Sequence, residues 1–224
     1  MQTGIFVRGA LGMLVFFAAA SCIGVTVNAR MRKNGSGNVT ISYTVQKELI
    51  DLAAFGEKSD LPSIPLTKED FESGIKKNGG LRLASYSHKA DEKNYIYTVK
   101  IDFDSPAALE SYFNSAVSSA EYSRPPAENS RLTLYFWRSI AASSGDSAKM
   151  KTLLDQAFEG YNFDFAIGFP ADYTARYINA DGEELEGPPS GVPERAGSNY
   201  RLNIPVSALF IPGKSAAVEF VWRP

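Results

Sequence analysis

Two runs of alternating side chains joined by a glycine turn constrain this chain more than any other feature. Val25, Val27, Ala29 and Met31 alternate with Thr26, Asn28, Arg30 and Arg32, and Val39, Ile41, Tyr43 and Val45 alternate with Asn38, Thr40, Ser42 and Thr44. A period of two puts each apolar set on one face of a strand. Between the runs, Lys33-Asn34-Gly35-Ser36-Gly37 supplies residues suited to positive φ. The segment predicts a β-hairpin with one buried face, which the rest of the chain must cover.

The residues before this hairpin read as an export signal. Arg8 is the only charged side chain before the apolar run Gly9 to Ala20, and Ala19-Ala20-Ser21 leads into Cys22, the only cysteine. At 1.5 Å per helical residue the run covers about 18 Å, short of a bilayer core of about 30 Å, so a cleaved signal over residues 1–21 is expected rather than a spanning helix. A single cysteine cannot form an internal disulfide, and in an exported chain it calls for modification or intermolecular pairing. Two processing outcomes stay open: acylation of Cys22, or ordinary cleavage just before it. Nothing after Cys22 selects between inner and outer membrane.

The chain beyond residue 21 is long enough for one domain with a real core. The formal charge of −2, with 23 basic and 25 acidic residues, carries no polybasic stripe and gives no electrostatic reason to expect nucleic acid. Eleven Tyr and fourteen Phe favour strands and large apolar surfaces.

Along the chain, Gln46 to Phe55 reads as a helix stopped by Gly56, and Pro62 and Pro65 mark a loop. Thr67 and Asp70 form a capping-box pattern opening a short helix that ends at Asn78-Gly79-Gly80. A second hairpin is expected from Leu81–Ser87 and Tyr95–Phe103, joined by the polar stretch His88 to Asn94. Ser105-Pro106 starts a helix with Leu109, Tyr112, Phe113 and Ala116 on its apolar side. Pro125-Pro126 reads as a loop and Leu132–Arg138 as a strand. Ser147 caps a helix bearing Met150, Leu153, Leu154, Ala157 and Phe158, ended by Gly160. Strands are expected at Tyr161–Phe169, Tyr173–Asn179, Tyr200–Ile204 and Ala216–Trp222, with a turn at Asp181-Gly182 and a surface loop over Glu186 to Asn199. Hairpins outnumber βαβ units, so a single α+β domain over residues 22–224 is predicted: a curved, largely antiparallel sheet with helices packed on one face.

Catalytic machinery is not legible. His88, the only histidine, reads as an exposed turn residue, and no Gly-x-Ser-x-Gly precedes a helix. Ser147 of Gly145-Asp146-Ser147 reads as a helix cap. Asp102 with Asp104, and Asp181 with Glu183, Glu184 and Glu186, read as solvated edges rather than acid–base or calcium sites. No enzyme activity, cofactor or metal is expected. An apolar ligand cavity between sheet and helices would be lined by Tyr95, Tyr97, Phe163, Phe165 and Phe169. Simple core filling is the competing reading of those five.

The small residues leading into Cys22 resemble the lipobox of bacterial lipoproteins, in which that thiol is acylated, as with palmitate, and becomes the mature N-terminus. From Cys22 to about Phe55 the chain resembles the LppM-type domain of bacterial lipoproteins, carried by Cys22, the strand Val25–Met31, the turn Asn34-Gly35-Ser36-Gly37, the strand Val39–Val45 and the helix after it. Phe165-Ala-Ile-Gly-Phe-Pro170 and Val218-Glu-Phe-Val-Trp222 look like the C-terminal half of that family. The resemblance implies a helix-grip-like α+β fold, a lipid-anchored place in the cell envelope and binding of lipid or glycolipid without catalysis. Partners would be the membrane through Cys22, a lipid ligand and, in an alternative reading, an envelope protein meeting the domain's surface.

Overall fold

In the computed structural model of the chain, residues 24–47, 66–76, 78–116, 120–123, 129–140, 151–152, 155–156 and 158–223 are described. Cys22, the signal residues, the expected helix beyond Lys47, Pro125-Pro126, and Ser147, Met150, Leu153, Leu154 and Ala157 of the later helix lie outside them. Lys151, Thr152, Asp155 and Gln156 are helical.

The first hairpin forms as its alternation requires. Strand β1 (Val25–Met31) pairs antiparallel with β2 (Gly37–Gln46), with Val25 opposite Tyr43 and Met31 opposite Gly37. The Arg32 N–H donates to the Ser36 carbonyl at 2.7 Å and the Gly35 N–H to the Arg32 carbonyl at 2.9 Å. That encloses three residues, with Gly35 at φ 82° where a side chain would be strained. Asn34 Oδ1 locks the turn by accepting from the Ser36 N–H and hydroxyl at 3.1 and 2.8 Å. Gly37 serves a different purpose: a Cβ there would overlap the Arg30 carbonyl and the ring of Phe103, its partner in the next strand.

The remaining elements are α1 (Lys68–Lys76), β3 (Leu81–Ala90), β4 (Asn94–Phe103), α2 (Pro106–Ala116), β5 (Ala120–Ser123) and β6 (Ser130–Ile140), followed by β7 (Asn162–Gly168), β8 (Tyr173–Asn179), β9 (Glu184–Leu185), β10 (Val192–Ala196) and β11 (Asn199–Pro205). A 3-10 turn at Val206–Leu209, β12 (Phe210–Pro212) and β13 (Ala216–Trp222) complete the chain. The strands divide between two sheets where one was expected. The larger runs β10-β11-β7-β1-β2-β4-β3, the smaller β12-β6-β13-β8-β9 with β5 on β6. Both are largely antiparallel; among the described residues only β1–β7 and β12–β6 pair in parallel.

The sheets meet through aromatic side chains. Phe136 of β6 lies 4.8 Å from Phe165 of β7, and Tyr200 of β11 meets Phe220 of β13 edge-on at 5.0 Å. A register shift where β6 crosses β13 between Ala216 and Val218 lets adjacent rings serve two neighbours: Phe136 reaches β7 while Trp137 reaches Tyr177. The Trp137 indole N–H donates to the Ser190 hydroxyl at 2.8 Å, and that hydroxyl donates to the Ala208 carbonyl. Away from the smaller sheet, the same face of the larger one is met by the helices. Phe71 of α1 packs on Tyr86 of β3 at 6.0 Å, and Leu109 of α2 is fully buried. Both caps form as read. Thr67 Oγ1 accepts from the Asp70 N–H while the Asp70 carboxylate accepts from the Thr67 and Leu66 N–H groups, and Ser105 Oγ accepts from Ala108 N–H. Those bonds hold the Asp70 carboxyl below the usual carboxylate range.

Three further expectations are corrected. His88 stands inside β3, its ring 4.8 Å from Tyr97 and 5.2 Å from Tyr95, so the hairpin's polar connection is shorter than expected. Gln46 ends β2 instead of opening a helix. The stretch Glu186 to Asn199 contains β10, whose five residues are all exposed, which is why no apolar alternation marked it.

Replacing Gly37 with Ala should destabilise the fold by about 1–3 kcal/mol, because a backbone carbonyl cannot yield as a flexible side chain does. Gly74→Ala, inside α1 with open space around its Cα, should stabilise by about 0.5–1 kcal/mol. Urea midpoints of the two variants should therefore move in opposite directions.

Candidate functional site

A strand side chain points to one face or the other, so the larger sheet has an inner face of buried residues and an outer face made of their neighbours. The inner set includes Val27, Ala29, Val39, Val99, Phe165 and Leu202, all buried. On the outer face no described residue is buried. Registers order that face into rows across the strands. One row reads Lys100, Thr40, Asn28, Ala166, Arg201, Glu194, and the next reads Asp102, Asn38, Arg30, Gly168, Asn199, Ala196. A third, Thr98, Ser42, Thr26, Asp164, Asn203, Val192, lies on the other side of the first.

Two depressions lie here. One of about 500 Å³ is floored by Ala166 and Gly168 and walled by Arg30, Asn38, Asn199 and Arg201. The second, about 370 Å³, shares Asn28, Ala166 and Arg201 with the first and extends to Asp164, Glu194 and Val192. They form one trough over β1, β7 and β11, because the middle strand carries the smallest side chains between longer ones. A Cβ on Gly168 would meet Asn199 Oδ1 at 3.0 Å and Arg30 Cγ at 3.7 Å, so the floor is open only because that residue is glycine. Asp164 accepts from the Asn203 amide, fixing one wall. The guanidinium groups of Arg30 and Arg201 make no hydrogen bond or ion pair with any described residue.

The five aromatic side chains expected around an internal cavity all lie on the inner side, in separate clusters. Tyr97 is buried, stacked on Tyr43 at 5.1 Å and on His88 at 4.8 Å. Tyr95 is half-buried against His88, with Lys47 Nζ 5.5 Å from its ring centre. Phe163 and Phe165 both pack on Phe136. Phe169 packs on Tyr173, Phe220 and Trp222 at 4.6, 5.1 and 5.3 Å. Across the sheet, Tyr97 and Phe163 share a row but stand apart by Tyr43 and Val25. Burial raises the phenols of Tyr43 and Tyr97 above the ordinary tyrosine value and pushes Tyr112 of α2 up to about 12.

Four of the six acids considered for chemistry are engaged elsewhere, Glu183 by the Asn179 amide at 2.6 Å, while Asp104 and Glu186 stand exposed without a side-chain partner among the described residues. Asp102 pairs with Arg82 at 2.5 Å, Asp181 with Lys214, and Glu184 with Arg176 at 3.8 Å. Hydrogen bonding to Asp181 raises the Lys214 ammonium above its usual value. Among the described residues no group of three or more His, Cys, Asp or Glu is placed to hold a metal ion. The trough was missed in the sequence because its residues come from five strands, β2, β1, β7, β11 and β10, brought together by the parallel β1–β7 pairing. The one available signal was that Arg30 and Arg201 each occupy an exposed position between buried ones.

Compared with known proteins, the chain matches no protein-family model and shows significant similarity to no curated sequence.

Arg30→Ala and Arg201→Ala should each change stability by less than about 0.5 kcal/mol, as expected for exposed side chains without partners. Glu219→Ala should cost about 1–2 kcal/mol: Glu219 is 3% exposed and accepts from Arg176 at 2.5 Å, with Arg131 Nε 3.3 Å away, both arginines being half solvated. Thermal unfolding of the three variants tests the contrast.

Proposed function

We propose that the chain is a lipid-anchored, non-catalytic binding domain of the bacterial cell envelope, and that it binds through the open outer face of its larger sheet. The observation carrying the reading is the asymmetry of that sheet. The inner face packs on aromatic side chains and helices, whereas the outer face has no buried described residue, is lined by Thr, Asn, Ser and Arg, and contains the trough. Surface of this kind is suited to polar ligands bound by hydrogen bonds.

The anchor belongs to the sequence: Cys22 stands three residues before Val25, the start of β1, so an acyl chain there would hold the domain close to its membrane. The likeness of Cys22 to Phe55 to LppM-type domains supports an envelope setting, and their helix-grip-like arrangement is carried into the proposal with it. The nearness of a bilayer also suits a glycolipid whose polar head meets the outer face. A second reading puts an apolar ligand between the layers. Half-buried Tyr95 and Phe163 favour it, while the ring contacts of Tyr97, Phe165 and Phe169 favour core filling. A domain that presents the same outer face to a protein partner is the remaining alternative.

Native mass spectrometry of the full chain from membranes, before and after organic extraction, tests the proposal. A covalent mass increase that survives extraction and is absent from Cys22→Ser is expected, together with loss of that variant from the membrane fraction. A lipid that leaves on extraction, and whose retention falls in Phe163→Ala, would move the binding site to the interior.

A further inference from the structure

The arginines of this chain are not all treated alike. Arg82 and Arg176 bond to carboxylates, Arg131 pairs with Glu219, Arg195 donates to the Ala175 carbonyl and Arg32 to Ser36. Arg30, Arg201 and, near the end of the chain, Arg223 do neither, and the first two line the same depression on either side of β7. Arg30 lies beside Gly168 in register and Arg201 beside Ala166, so the two approach the trough floor from opposite walls. A guanidinium carries five donors in a planar fork suited to carboxylate or phosphate oxygens.

The rest of the lining narrows the ligand. Asn28, Asn38 and Asn199 offer amides that both donate and accept, which suits hydroxyl groups. Glu194 stands opposite Arg201 across β10–β11 without forming an ion pair, and with Asp164 it makes the far end of the trough acidic. An anion is therefore directed to the Gly168 end, while the carboxylates at the other end accept hydroxyl protons. On this face of the larger sheet no described residue is aromatic, so nothing is placed to stack on a nucleobase.

We infer that the trough binds an anionic group carried on a polyhydroxylated scaffold, a phosphorylated or carboxylated sugar, with Arg30 and Arg201 holding the anion above Gly168. The inference rests on the outer face being the binding surface. The same chemistry is offered by a free acidic saccharide and by the head of an anionic lipid.

Calorimetric titration of the full chain in nonionic detergent with glucose 6-phosphate tests it, with glucose and inorganic phosphate as controls. Glucose 6-phosphate should bind at least about 10-fold more tightly than either control, since only it offers both the anion and the hydroxyls. Arg30→Ala and Arg201→Ala should each weaken it at least about 10-fold, and rising salt should weaken it further. Ala166→Ile keeps both charges, adds a residue suited to strands, and should weaken binding comparably by filling the floor. Absence of glucose 6-phosphate binding, or binding indifferent to both arginine changes, overturns the inference. Phosphatidylglycerol added to the micelles separates the sources: competition that requires Arg30 assigns the anion to a lipid head, and lack of competition assigns it to a free sugar. Hydrogen exchange separates the choice of face from the choice of ligand. Protection of β1 and β7 amides by glucose, with no gain from the phosphate, overturns the anion but keeps the outer face; protection confined to α1 and α2 overturns both.

Discussion

The parallel pairing of β1 with β7 is the contact on which the molecule depends. It runs from Val25 opposite Phe163 to Arg30 opposite Gly168, joining the N-terminal hairpin to strands from the far half of the chain. Without it, β1-β2-β4-β3 and β10-β11-β7 would be two sheets of four and three strands, each with an additional open edge. The pairing closes a very long loop, whose entropy must be met before the contact is rewarded. The reward lies on the inner face, where Val27 and Ala29 come beside Phe165 and Ile167 and the joined surface is wide enough to receive the smaller sheet.

The same register builds the outer face. Once β7 lies between β1 and β11, Ala166 and Gly168 are flanked by Asn28 and Arg30 on one side and Arg201 and Asn199 on the other. The trough is thus not an addition to the fold but the reverse side of the contact that completes the core. A shift of one residue in that pairing would turn the Phe163, Phe165 and Ile167 side chains to solvent, so burial on one face fixes the geometry of the other.

Local interactions are the ones a sequence displays. The hairpin, its Asn-Gly turn, the Thr67–Asp70 and Ser105 caps, and strands Tyr173–Asn179 and Ala216–Trp222 could be read because periodicity and turn chemistry act within a few residues. Strand β10 escaped notice because it is an exposed edge with Pro193 inside it, and edge strands carry no alternating apolar signal. The division into two sheets was hidden for another reason. Alternation identifies a buried face without naming what lies upon it, so Phe163 and Phe165 read equally well as cavity lining or as partners of Phe136. The candidate trough was least legible of all, since Arg30, Gly168 and Arg201 look ordinary until three strands are placed side by side.

Ala166 and Gly168 are the positions where local preference and final structure disagree. Both lie in the middle or at the end of a strand flanked on both sides, at outward positions where a β-branched residue would pack well against cross-strand neighbours and glycine weakens the strand. The chain instead leaves the floor bare beside two arginines that have no partners among the described residues. Guanidinium groups held in no ion pair and a strand without its preferred side chains are separate departures from the most stable arrangement, and they occur at one place. Departures of that kind gather where a surface is shaped for something other than stability. On the inner face, by contrast, no described buried side-chain polar atom lacks a hydrogen-bond partner, and even the phenols of Tyr177 and Tyr200 share a bond of 3.2 Å. Among the described residues, buried polar side chains are all partnered within the protein, whereas the guanidinium groups of Arg30 and Arg201 meet only solvent, and that contrast is the physical ground for placing recognition on the outer face of the sheet.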